Sequence, residues 1–410
     1  MNIYLAVILI SLIGSWLLGL LSNFLNGRNL HPELPSEFTN TFDAETYRKS
    51  QEYARATMRF SNISDTFNTA VTLTVILCGG FNWLDQIIRS YALTPIPTGL
   101  AYIAALGIAS SILSLPFEAY QTFVLEKRFN FNTTTVGTFI ADRVKGLVLT
   151  AVIGGILLYG VLYFFAEAGR FAWLWCWGMV VSFTLAFTYV APTWILPLFN
   201  KFTPLEDNDL RRAIESYARK VGFRLRGIFV IDGSKRSTKS NAFFTGFGKN
   251  RRIALFDTLI KGQNTDEIVA VLAHEVGHSK RGHIRRQMIT GFIKTGVIFY
   301  LMSLFLSSPG LFEAFGMAHM SIYAGLVFFL LLYTPLSLVL SIITNAISRK
   351  HEFEADAYAA TTTGNPQAMI SALKKLSADN LSNLTPHRLT VWLEYGHPPV
   401  LQRIRALSTH

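Results

Sequence analysis

The sequence predicts an all-α membrane protein, with seven transmembrane helices and a polar, basic domain supplied by two separate stretches of chain. Three observations carry this. Half of the 410 residues are hydrophobic and only 15% are charged, against roughly a quarter charged in an ordinary soluble protein. Seven stretches stay apolar over the roughly 20 residues that a bilayer crossing needs. The net charge of +11 is also concentrated, because residues 201–287 hold 18 Lys or Arg against 9 Asp or Glu.

The spans fall near 3–25, 69–93, 98–120, 145–167, 171–198, 288–308 and 322–347. The first has no basic n-region and no small-x-small cleavage site, so it reads as a span rather than a signal peptide. The second is the least apolar, since Asp85 and Arg89 interrupt its end. Pro116 and Glu118 end the third, and Pro192 and Pro197 break the fifth, as kinks or water-facing positions in a bundle do. Cys78 and Cys176 both fall in apolar stretches and read as packing residues. No internal repeat is visible, which argues against a secondary transporter.

Orientation follows from the cations beside the span ends. Arg28, Arg48, Lys49, Arg55 and Arg59 follow the first span, and Lys127, Arg128, Arg143 and Lys145 lie between the third and fourth. Lys201, Arg285, Arg286, Arg349 and Lys350 fall on that same side, whereas loops 94–97 and 309–321 carry no Lys or Arg. The consistent solution places the N-terminus outside and every large polar segment in the cytosol. Residues 1–200 then form a five-helix membrane region, 201–287 the first half of the polar domain, 288–348 helices six and seven, and 349–410 the second half. Its basic surface is suited to anionic lipid; no motif supports nucleic acid as a partner.

Within the polar domain, residues 274–278 read His-Glu-Val-Gly-His. On a helix the i, i+4 spacing stacks His274 and His278 on one face, where both reach one Zn²⁺, and Glu275 beside them can take a proton from an attacking water. The helix runs from Asp266 to Lys280 with Thr265 as its cap. The pattern predicts one zinc and a metallopeptidase with three protein ligands. A metzincin would place its third His at position 284, which is Ile284, so a carboxylate must come from elsewhere.

The best source is Arg349–Tyr358, a helical run just past the last span. Glu352 and Asp356 share a face there, while Glu354 is rotated roughly 200° from Glu352. Glu352 is the expected ligand and Asp356 the acid that orients a ligand histidine. Glu354 reads as a solvated charge. His283 lies off the ligand face and reads as a helix-terminus or supporting residue. Ahead of the motif, residues 240–248 and 251–257 flank Lys249-Asn250 and read as a β-hairpin. Asn241, Ala242 and Phe243 there are candidate substrate contacts, because an edge strand pairs with an extended peptide without reading its sequence. Near the C-terminus His397 and Arg403 stand six residues apart. A His or Arg facing the metal would stabilise an oxyanion, although spacing alone says little about these two.

HEVGHSKRGH, two intervening spans, EFEAD and HPPVLQRIRAL together resemble the integral-membrane zinc CaaX prenyl proteases of the a-factor-converting type. The stretches 123–146 and 240–260 extend the likeness from the first span to the last helix. The resemblance implies a gluzincin-like site facing a water-filled chamber that seven helices enclose. It also implies a substrate whose C-terminus carries a prenylated cysteine and loses its last three residues. It makes His274, His278 and Glu352 zinc ligands, Glu275 the general base, His397 and Arg403 catalytic residues that bind substrate or stabilise the intermediate, and Asn241 part of the substrate groove. Eukaryotic members commonly end in a dilysine-type signal, whereas this chain ends Ala406-Leu407-Ser408-Thr409-His410. With its compact loops this points to a bacterial inner-membrane homologue. The competing readings are a general quality-control membrane protease and a non-catalytic channel or transporter with a vestigial metal site.

Overall fold

The computed structural model describes residues 2–39, 41–245 and 252–409. Five of its helices are long and apolar enough to cross a membrane alone: Ile3–Arg28, Pro95–Glu126, Val136–Glu167, Gly169–Leu198 and His283–Phe305. Two more candidates are bent pairs, Ala44–Leu77 with Gly80–Ser90 at 65°, and Ile322–Leu332 with Thr334–Thr363 at 53°. Counting each pair as one span gives the seven expected. The first bend sits on Gly79, whose φ of 69° is left-handed and costs glycine little. The second falls just before Pro335, which opens a helix but cannot continue one without losing a bond.

Several boundaries differ from expectation. The second span's helix begins at Ala44, capped by Asp43, whose carboxylate accepts from the Thr46 amide at 2.6 Å. The basic linker after the first span is therefore largely helix. Pro116 and Glu118 do not end the third span; it passes through both and continues as a π-turn over Gln121–Glu126. Neighbouring helices and local adjustment make a proline tolerable there, and Glu118 pairs with Arg143. The fifth likewise runs through Pro192 to Trp194.

The bundle's shared core is aromatic: Phe315 stacks on Phe328 at 3.8 Å, with Phe81 and Tyr102 beside them. Asp85 is fully buried there, held by the Tyr323 hydroxyl and by Arg89 Nε at 2.8 Å. This pairing accounts for an acidic residue in an apolar span. Along the five single-helix spans little is enclosed, since at most 11% of each most apolar stretch is buried.

The polar domain carries one mixed sheet of β1 (Phe202–Pro204), β2 (Gly227–Ile231), β3 (Ala242–Thr245) and β4 (Arg252–Phe256), in the order β1-β2-β4-β3. β2 and β4 are parallel, and β1 and β3 flank them antiparallel. The expected hairpin is thus the β3–β4 half of a larger sheet, and its Lys249-Asn250 turn lies outside the described residues. Ile228, Ile253 and Leu255 pack the sheet onto Ile268, Leu272 and Val276 of the motif helix. That contact fixes the helix beneath the edge strand β3.

Candidate metal centre

The motif helix spans Thr265–Lys280, and its cap is Asn264 rather than the expected Thr265. Asn264 Oδ1 accepts from the Glu267 amide at 2.9 Å while Glu267 Oε2 accepts from the Asn264 amide at 2.8 Å. This reciprocal box satisfies two otherwise orphaned donors. Glu267 is buried and also accepts from Ser371 at 2.6 Å and Lys375 at 2.8 Å. Burial raises its pKa, but these donors outweigh that and hold it below the ordinary carboxylate value. The start of the motif helix is thereby tied to helix Pro366–Asp379.

One turn apart on this helix, His274 and His278 bring their Nε2 atoms to 3.2 Å. Glu352, on the C-terminal half of helix Thr334–Thr363, completes the group. Its Oε2 lies 3.4 Å from His274 Nε2 and its Oε1 3.2 Å from His278 Nε2. Ligands 2.0–2.1 Å from one tetrahedral ion stand roughly 3.3 Å apart, so the three separations are those of a shared zinc-sized centre. Glu352 Oε2 is buried and makes no aligned hydrogen bond, although nitrogens of His274, His397 and Arg403 lie 3.4, 2.9 and 3.5 Å away. Arg403 offsets part of the cost of holding this anionic oxygen in the interior, and a metal ion would meet the rest. The donor set fits a metal.

Two separate supports fix the imidazoles. His274 Nδ1 lies 2.8 Å from Asp356 Oδ1, and Arg403 grips the same carboxylate with Nε at 2.8 Å and Nη2 at 2.7 Å. Burial would raise the Asp356 pKa, but the Arg403 charge and these hydrogen bonds hold it well below the usual value. Asp356 therefore stays ionised, takes the Nδ1 proton of His274 as a hydrogen bond, and leaves Nε2 as the lone-pair atom. Burial alone would lower the Arg403 pKa, whereas Asp356, Glu352 and Glu275 together push it up.

On the other side, His278 Nδ1 meets His283 Nδ1 at 3.1 Å, and His283 Nε2 meets Glu354 Oε2 at 2.9 Å. With Glu354 accepting from His283 Nε2–H, His283 Nδ1 accepts from His278 Nδ1–H, and His278 Nε2 is again free to ligate. His283 begins helix His283–Phe305, is fully buried, and stacks on His351 at 4.0 Å. Glu354 is therefore not the solvated charge expected from its helix face, because the start of the sixth span folds back over it.

Sequence reasoning missed Gly277. A Cβ there would come within 3.2 Å of the Cα and carbonyl oxygen of Ala355 and of Tyr358 Cβ. The two ligand-bearing helices touch at this point, and glycine lets Glu352 come close enough to meet the histidines. A signal was present, since a mid-helix glycine costs about 1 kcal/mol against alanine and wants a packing reason. His351 was missed as well.

The remaining candidates lie on the motif helix, at the last helix and along β3. Glu275 is half-buried on the motif helix. His397 is exposed and sits in the loop ahead of the last helix, Val400–Leu407, with Nδ1 2.9 Å from Glu352 Oε2. Arg403, within that helix, is buried and committed to Asp356. Asn241 is exposed; its Oδ1 accepts from the Ala242 amide at 2.8 Å and its carbonyl from the Phe256 amide at 3.1 Å. Ala242 and Phe243 pair with Leu255 and Ala254, which leaves the far side of β3 as the open edge of the sheet.

Comparison with known proteins agrees with this arrangement. Residues 25–201 match a family described as CAAX prenyl protease N-terminal, five membrane helices, and residues 204–410 match Peptidase family M48. The CAAX prenyl protease 1 of Saccharomyces cerevisiae is 37% identical, covering 92% of this chain and 88% of its own length. The CAAX prenyl protease 1 homolog of Homo sapiens is 32% identical over 97% of this chain and 94% of its own. The crystal structure of S. mikatae Ste24p superposes with a TM-score of 0.94 at 35% identity, over 98% of this chain and 99% of that one. With both family models matched and the fold shared over 98% of the chain, the chain belongs to the CAAX prenyl protease 1 family of membrane-embedded M48 metallopeptidases.

Proposed function

We propose that this protein is a zinc endopeptidase that removes the last three residues from a protein C-terminus bearing a prenylated cysteine. The observation that carries the metal assignment is the convergence of His274, His278 and Glu352 on one centre, where a buried carboxylate oxygen has no aligned hydrogen bond. The substrate class follows from the family named above and from the setting of the site between an open strand edge and apolar spans.

Zinc held by these residues supplies Lewis acidity, lowering the pKa of water and polarising the scissile carbonyl. The chain's own residues do the rest. The β3 edge at Ala242 and Phe243 pairs with the substrate backbone as an added strand, and Asn241 borders that path. Glu275 accepts the proton of the attacking water and delivers it to the departing amine. His397, exposed beside Glu352, turns an imidazole N–H toward the oxygen on which negative charge develops. Arg403 acts through Asp356 as a positioning residue, because its guanidinium is buried and already engaged.

The low enclosure of the span helices leaves surface for lipid around them and room for a chamber between them. The Lys and Arg distribution supports a cytosolic polar domain. Cysteine labelling tests the orientation: in a chain with Cys78 and Cys176 replaced by alanine, Lys261→Cys should resist an impermeant reagent added outside intact cells. Labelling from outside would overturn the assigned side.

The activity test uses purified protein with matched prenylated and unprenylated C-terminal peptides, and mass spectrometry of the products. Release of an intact tripeptide from the prenylated peptide alone is expected. Equal cleavage of both, or cuts scattered through unfolded membrane proteins, would favour a quality-control protease instead.

A further inference from the structure

A groove of about 580 Å³ opens between helix Ala44–Leu77 and helix Pro95–Glu126; it shares no lining residue with the metal centre and has no part in the chemistry above. Its size lies within the range of small-molecule sites. Its walls are apolar and aromatic: Phe60 stacks on Tyr120 at 5.6 Å, and Ile63 and Val124 are exposed. One wall is the π-turn Gln121–Glu126, an arrangement found disproportionately at functional positions. Two cations, Arg59 and Arg128, stand on its rim. Arg128 lies over the Phe129 ring at 5.4 Å, and among the described residues neither guanidinium has an acidic partner.

The position of the groove defines its surroundings. Phe129 belongs both to the groove and to a small core with Phe131 and Tyr53. The Tyr53 hydroxyl donates to Glu126 Oε1 at 2.6 Å and accepts from Lys239 Nζ at 2.8 Å. The cationic end of the groove therefore faces the polar domain, and its apolar walls continue along the spans. A ligand complementary to it must carry an anionic head and a hydrocarbon tail. An isoprenoid has the tail without the charge; a free phosphate has the charge without the tail.

We propose that this groove is a binding site for an anionic phospholipid, its phosphate between Arg59 and Arg128 and an acyl chain along Phe60, Ile63 and Val124. Planar guanidinium groups suit phosphate oxygens, and each cation beside an anionic headgroup is worth roughly fivefold in affinity.

Native mass spectrometry of the whole protein released from detergent, titrated separately with phosphatidylglycerol and phosphatidylcholine, tests the assignment. The wild type should retain one phosphatidylglycerol in preference to phosphatidylcholine. The double variant Arg59→Gln, Arg128→Gln should retain it about thirtyfold less well. Arg224→Gln with Lys261→Gln, an equal charge loss on the polar domain, should leave retention unchanged. Ile63→Trp keeps both cations but fills the groove, and should also lose the lipid; it keeps the test decisive if the double variant folds poorly. The proposal fails if phosphatidylcholine binds equally, if the control pair loses as much as the rim pair, or if inorganic phosphate displaces the lipid as well as another phospholipid does. It also fails if a prenylated cysteine ester displaces the lipid one for one, which would assign the groove to the substrate's own tail.

Discussion

The two histidines of the ligand group are supported in opposite ways, and the difference separates folding from metal binding. His274 leans on an ion pair sealed in the interior, Asp356 with Arg403, which also joins the last helix to the ligand-bearing helix. His278 leans on a hydrogen-bonded chain through His283 to Glu354, whose side chain is 33% exposed. In the first arm a missing partner strands a charge where water cannot reach it. In the second, water can substitute in part. The first arm should therefore be structural as well as metal-supporting, and the second should tune the metal alone.

The largest effect should come from Arg403→Met, which leaves Asp356 buried without its cation, beside Glu352. Breaking a buried pair in this way costs about 3–5 kcal/mol, so the melting temperature and the metal content should fall together. Arg403→Lys should rescue little, because an ammonium cannot reproduce the two-point grip. If Arg403→Met melts like the wild type, the first arm is not structural.

Gly277→Ala comes next and acts on both arms at once. The added methyl meets backbone atoms of Ala355 that cannot swing aside, and overpacking of this kind costs about 1–3 kcal/mol. Competition with a zinc chelator should show weaker binding, since the Glu352 helix must move away from the histidines. Unchanged affinity would mean that the close contact does not set the ligand spacing.

The smallest effect belongs to the second arm. Glu354→Ala should weaken metal affinity about 10–100-fold, the usual loss on removing a partner of a ligand histidine. Melting of the metal-loaded protein should hardly change, and at saturating zinc the variant should still take up one ion. A collapse of its fold would erase the distinction between the arms.

Much of this site was legible in the sequence because the relevant period is local. The i, i+4 spacing of His274 with His278 and of Glu352 with Asp356 selects the ligand faces before any tertiary contact is known. Apolar length likewise revealed the spans, while their bends did not show, because Gly79 and Pro335 break helices only in combination with packing. Glu354 was misjudged for a related reason: helical geometry gives the direction of a side chain, and its partner His283 arrives from a different span. Gly277 carried a signal that spacing arguments ignore. The extra strands β1 and β2 went unseen because runs as short as Phe202–Pro204 have no periodicity to read.

The most direct test of the account is Glu275→Gln, assayed for bound zinc and for release of the tripeptide from a prenylated peptide. The amide preserves size and leaves His274, His278 and Glu352 in place, so the variant should bind one zinc per chain with unaltered melting. Without a carboxylate to take the proton, turnover should fall by about 10²–10⁴-fold, the range for general base catalysis. Full metal with wild-type turnover would contradict the assignment of Glu275, and with it the chemistry built on this ligand group.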